Sequence, residues 1–176
     1  MSGEQKSADE SLPEDTSALV EPVRQRLVTI AADVVGRLDT DDIPGPLRPV
    51  ARFTPAKRVR LGATALSAAL DSDDGFRDRV AQVVSDGSPQ LAAAVRNGTS
   101  TAASDPIDTA VVAYLLRPSG WQQVISEATT RWSTERGHAA DATHSAELTR
   151  LRAEVAELRT AQRQQAGRVR DTVSAA

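Results

Sequence analysis

Residues 44–70 read PGPLRPVARFTPAKRVRLGATALSAAL, and their pattern decides the fold class. Pro44 and Pro46 flank Gly45, a combination that belongs to turns. Leu47, Val50 and Phe53 follow at three-residue spacing, which places them on one side of a short helix. Thr54-Pro55 then supplies a capping residue and a proline at the first helical position. Beyond it Val59, Ala63, Leu66 and Leu70 recur every three or four residues, the stripe of an amphipathic helix. Leu61 and Ala65 lie beside that stripe, and Gly62 permits a neighbour to approach closely. No alternating strand pattern interrupts it.

Working outward, the same helical period continues. Upstream, Val23, Leu27, Ile30, Val34 and Leu38, widened by Ala31 and Val35, predict a helix that begins between 18 and 22 and ends at 38. Residues 39–46, DTDDIPGP, are a turn. Downstream, residues 71–75, DSDDG, end one helix and cap the next, which carries Phe76, Val80, Val83 and Val84. Ser88-Pro89 opens a short helix through Leu91 and Val95, stopped by Asn97-Gly98. After a small-residue linker over 99–104, Asp105-Pro106 opens another helix, with Asp108 suited to its N-terminal dipole and Ile107, Val111, Tyr114 and Leu115 as its apolar side. Pro118-Ser119-Gly120 breaks it, and Trp121, Val124, Ile125, Ala128 and Trp132 form the last stripe.

From 133 to 145 the stripe disappears; it resumes as Leu148, Leu151, Val155, Leu158, Gln162, Gln165 and Val169. With Leu148 at heptad position a and Leu151 at d, Glu147 and Glu154 fall at g and Arg152 and Arg159 at the following e. Few heptads and two polar glutamines leave two readings open, a parallel oligomerising coil or a lone solvated helix. The expectation is an all-α chain: a disordered acidic tail over 1–17, a small multi-helix domain over 18–132, a polar helical linker or hinge over 133–146, and a long C-terminal helix or coiled coil over 147–173.

Composition narrows the function classes. Hydrophobic residues make up 40% of 176, but aromatics only 3%, so the core is built from closely packed, alanine-spaced helices. No apolar run is long enough for a membrane span. The acidic, polar start is unlike a signal peptide, and the absence of cysteine excludes disulfides and thiolate metal sites. Both fit a cytoplasmic protein. Residues 71–75 have a calcium-loop flavour, but Gln82 stands where the bidentate glutamate belongs, so capping is the reading. His138 and His144 sit six apart on a polar stretch, off a common helical face, and assemble no ligand set. No nucleophile–base arrangement and no glycine-rich phosphate loop is present. Neither catalysis, nor a metal, nor a cofactor is expected.

The net charge of -3 conceals an uneven distribution. Six acids against Lys6 occupy the first 21 residues, whereas Arg48, Arg52, Lys57, Arg58 and Arg60 follow one another with no acid between them. Lys57 and Arg58 stand at the start of a helix, where the dipole disfavours cations by a few tenths of a kcal/mol. Cations beside exposed first-turn amides suit a phosphate or an acidic partner. The alternative is a solvated face shielded by the acidic tail.

Residues 47–63, LRPVARFTPAKRVRLGA, and residues 105–121, DPIDTAVVAYLLRPSGW, resemble the N-terminal region of actinobacterial NYN-domain (YacP-like) proteins, a family described as RNA-binding. The likeness extends over about residues 19–160, and a charged Leu/Arg/Glu coil after the helical domain also fits the family. It implies a PIN-like nuclease domain beyond the coil. This chain carries no parallel-sheet pattern and no strand-end aspartate motif, so no catalytic residue transfers to it. The stop at Ser174-Ala175-Ala176, without a helix-ending signal, suits a fragment of a longer protein.

The expected function is a non-catalytic module that targets RNA or a ribonucleoprotein through Arg48, Arg52, Lys57, Arg58 and Arg60. The coil, through Leu148, Leu151, Val155 and Leu158, links it to a further domain or to a second copy. The rival expectation is a protein-interaction and oligomerisation module with no nucleic-acid role.

Overall fold

The structure is a computed structural model that describes residues 15–99 and 101–174, with side chains in the last helix described as far as Gln164. Residues 1–14 of the expected tail lie outside the described residues, as do the side chains of Gln165 and Val169. Seven α-helices make up the described chain, with no strand among the described residues: α1 Glu21–Val35, α2 Arg48–Ala51, α3 Pro55–Ser72, α4 Asp74–Gly87, α5 Pro89–Arg96, α6 Pro106–Leu116 and α7 Trp121–Ser174. The protein is all-α and ends in a long helix. No helix among the described residues is long and apolar enough to cross a membrane. The chain divides into two compact units, Met1–Trp132 and Ser133–Ala176.

The first unit is assembled around α6. Its sequence PIDTAVVAYLL is apolar on all sides rather than along one stripe, and every residue from Thr109 to Leu115 is buried. A helix of that kind needs neighbours all round. It has them in α1, α4 and α5, while α3 packs on α1 and α4. Asp105 starts α6 by accepting from the Ile107 and Asp108 amides, and the fixed φ of Pro106 suits the first helical position.

On α1 the stripe of Val23, Leu27, Val34, Ala31 and Val35 is buried as the spacing requires, joined by Val28 and Ala32. The helix ends at Val35, and Leu38 belongs to the turn after it. Each large side chain removed from water here contributes about 1.5–3 kcal/mol.

Gly62 does what its position suggested. A Cβ there would lie 2.5 Å from Val50 Cγ1, so its absence lets α2 seat against α3. Leu66, Ala69 and Leu70 complete the buried face of α3.

Several expectations fail in detail. Val59 and Ala63 of the α3 stripe are only half-buried and Val83 is 41% exposed, whereas Ala81, Ser85 and Arg77 join Phe76 and Val80 in the buried face of α4. A stripe drawn from apolarity alone misses them because Arg77 buries its stem and turns its guanidinium to the Leu70 carbonyl, 3.1 Å away. Thr54 and Ser88 occupy the cap positions of α3 and α5, but neither side chain makes a capping bond.

Residues 15–17, assigned to the tail, are ordered by local bonding. Asp15 accepts from the Ser17 and Ala18 amides and starts the 3₁₀ turn Thr16–Ala18. Thr16, 2% exposed, donates its amide and its hydroxyl to the two Asp71 oxygens at 2.9 and 2.8 Å. In the second unit, residues 133–164 are helical and exposed, with no break between 133 and 146.

Candidate functional site

The basic residues singled out by the sequence do not share one fate. Arg58 is half-buried and points inward from the first turns of α3. Its Nη1 donates to the Ala32 carbonyl at 2.8 Å and its Nε to the Phe53 carbonyl at 3.0 Å. Ala32 belongs to the last turn of α1, and its carbonyl also accepts from the Gly36 amide at 3.3 Å. A cation at that end also opposes the negative pole of the dipole. Gly36 makes this possible through space rather than through its backbone angles: a Cβ there would overlap the guanidinium. Arg58 is therefore a structural tie between α1 and the turn before α3.

The other four stay outside. Arg48 begins α2 and Arg52 follows its last residue, one turn on; Lys57 and Arg60 lie three apart on α3, hence on neighbouring positions of one helical face. All four are exposed. None makes an ion pair or a side-chain hydrogen bond among the described residues. Every other cation of residues 18–132 is engaged. Arg24 pairs with Glu21, Arg26 with Asp108 at 3.1 Å, Arg37 with Asp33 at 2.7 Å, Arg77 with Asp74 and Arg79 with Asp42 at 3.1 Å. Arg96 donates to the Ser85 hydroxyl at 3.0 Å, and Arg131 holds the Thr101 and Ser104 carbonyls. Arg48 and Arg52 stand on or just after α2, which packs on α3, the helix that carries Lys57 and Arg60. The unused Thr54 side chain leaves the first-turn amides of that helix without a side-chain acceptor.

Two grooves flank this region. One, of about 830 Å³, runs between α1 and α3 from Thr16 and Asp71 to Val59 and Arg60. The other, of about 600 Å³, has an apolar floor including Val59, Leu91, Val111 and Val112, with the Arg26–Asp108 pair among its lining. Neither groove is lined by a histidine, cysteine or lysine. Among the described residues no three of His, Asp or Glu come together as a metal site. His138 and His144 are exposed on α7.

Two side-chain groups were invisible to the sequence reading. The Tyr114 hydroxyl, completely buried, donates to the same Asp71 carboxylate that holds Thr16. Burial, and after it the Asp71 carboxylate, pushes the Tyr114 phenol well above its ordinary value. Partners 43 and 55 residues apart leave no local signature in the chain.

Arg117 ends α6 in the left-handed region, at φ 43° and ψ 50°. Its guanidinium carbon lies 5.0 Å from the Tyr114 ring centroid and 5.1 Å from that of Trp121. The two rings meet edge to face at 5.8 Å. Trp121 and Trp132, aligned by spacing, are both half-buried.

Compared with known proteins, the chain matches no family model, no curated protein and no solved structure.

The second unit offers a different kind of surface. Leu148, Leu151, Val155 and Leu158 are between 43% and 63% exposed on one line of α7.

Proposed function

We propose that the helical domain is a non-catalytic module that docks on RNA, alone or within a ribonucleoprotein, through Arg48, Arg52, Lys57 and Arg60. One observation carries this reading: these four are exposed and unengaged, while the nine other cations of residues 18–132 are committed to carboxylates, carbonyls, a hydroxyl or aromatic rings. An exposed cation without a carboxylate is free to replace the counterions of a phosphate backbone. The resemblance of residues 47–63 and 105–121 to the N-terminal region of NYN-domain proteins supports the same choice of ligand and a cytoplasmic setting. Arg58 is left out of the contact set because its donors are spent on Ala32 and Phe53. Any nuclease chemistry belongs to a domain outside this chain.

Such binding tolerates sequence and weakens with salt. Four phosphate contacts at about 0.7 each give a log–log salt slope of about −3 on single-stranded RNA. Titrating a fluorescent RNA oligonucleotide across a salt series measures it. The Lys57→Glu/Arg60→Glu double variant should reduce both affinity and slope. Absence of binding at low salt, or an unchanged slope in that variant, overturns the reading.

A further inference from the structure

The exposed stripe of α7 has a self-complementary charge code beside it, and that code identifies what covers it. Leu148, Leu151, Val155 and Leu158 are 47, 43, 43 and 63% exposed, spaced three, four and three apart. That is the a/d spacing of a coiled-coil seam. Four large apolar side chains in one line on a solvated helix leave hydrophobic free energy unrealised until something covers them.

With Leu148 at a, the g positions Glu147 and Glu154 are acidic and the e positions that follow them, Arg152 and Arg159, are basic. In a parallel pair, g of one helix faces the following e of the other, so Glu147 meets Arg152 and Glu154 meets Arg159 from both sides. An antiparallel pair sets g against g and e against e, and every one of those contacts is then between like charges. The code therefore selects direction, and because it complements itself, it selects the same chain as partner.

Strand number follows from the seam. A β-branched residue at a with leucine at d favours two strands; Leu151 and Leu158 fill d, and Val155 and Leu148 fill the two apolar a positions, Val155 being the β-branched one. Gln162, the next a residue, is a polar group that faces its own copy only in register, the device by which such residues fix alignment. Competing pairs on the same helix are weak. Glu147 lies 3.8 Å from Arg150, with both side chains more than half exposed. Arg152, Glu154 and Arg159 make no ion pair among the described residues.

We propose that residues 147–164 pair with the same residues of a second copy as a parallel, in-register, two-stranded coiled coil. The proposal is independent of what the basic surface binds.

The chain has no cysteine, so Leu151→Cys introduces a single thiol at a d position. Mild oxidation of the full chain should give a disulfide-linked dimer, whereas Ala153→Cys, on the outer face, should stay monomeric on a non-reducing gel. Equal cross-linking at both positions, or none at Leu151→Cys, overturns the parallel register.

A charge exchange tests the code without touching the seam. Glu147→Arg/Glu154→Arg and Arg152→Glu/Arg159→Glu should each sediment as monomers of 18.7 kDa, and their mixture at twice that mass. A mixture that stays monomeric overturns the proposal, as does an unmodified chain that sediments as a monomer or at three times that mass.

Discussion

Arg58 donates to the Ala32 carbonyl at 2.8 Å, so a residue from the middle of the basic run closes the end of the helix before it. The finding divides the run by role rather than by charge. Removing this side chain takes away its two bonds, to the Ala32 and Phe53 carbonyls, and charge-assisted bonds of this kind are worth about 1.5–3 kcal/mol. Arg58→Ala should therefore lower the urea-unfolding free energy by about 2 kcal/mol. At temperatures where it is folded, it should bind RNA as the unmodified chain does. Arg58→Lys should recover little, because one ammonium does not reproduce the forked donors that span Ala32 and Phe53. A variant that keeps its stability but loses RNA affinity would return Arg58 to the contact surface.

Tyr114 is the chain's sole tyrosine, and its fate at high pH is determined by the pocket that holds it. Burial and the Asp71 carboxylate both favour the neutral phenol, so the folded-state value lies above the ordinary 10.0. The unfolded chain consequently releases this proton first. The resulting stability is fully present below about pH 10 and falls as the pH climbs beyond it. Unfolding free energies measured on either side of about pH 10 should decline above it. The near-ultraviolet signal of the phenolate should appear together with loss of helix, not before. Tyr114→Phe should flatten that alkaline decline and cost about 1 kcal/mol at neutral pH, since Asp71 keeps its two bonds from Thr16. A phenol that titrates near 10 in the folded chain would contradict the buried contact.

These two residues also mark how far the sequence could be read. Helix existence was legible nearly everywhere, because Val23, Leu27 and Val34, or Leu66 and Leu70, repeat at the period that one buried face requires. Gly62 was legible for the same reason: a glycine inside an apolar stripe signals close packing, and Val50 fills the space. Val83 was misplaced because periodicity gives the direction of a side chain but not where its neighbours run out.

Side-chain assignments within the basic run were not legible. Arg48, Arg52, Lys57, Arg58 and Arg60 are alike in a string of letters. What distinguishes Arg58 is the end of α1 passing beside it with Gly36 leaving room. Thr16 and Asp71 were read as tail and cap, since a contact across 55 residues depends on how α1 returns along α3.

Arg117 carries the remaining prediction, because it places a backbone cost and a side-chain gain in one residue. It is the one described residue other than glycine with a positive φ. For a residue with a Cβ that conformation costs about 1–2 kcal/mol, and glycine escapes it. The offset is the guanidinium set over Tyr114 and Trp121, a cation–π contact of about 0.5–2 kcal/mol. Arg117→Ala keeps the cost and loses the contact, whereas Arg117→Gly loses both. The alanine variant should therefore be less stable than the glycine variant, by about 1 kcal/mol in chemical denaturation. Loss of the cation should also perturb the Trp121 emission in both. Equal stability of the two variants would mean that the left-handed turn is not maintained in solution. An alanine variant as stable as the unmodified chain would mean that the ring contact contributes nothing.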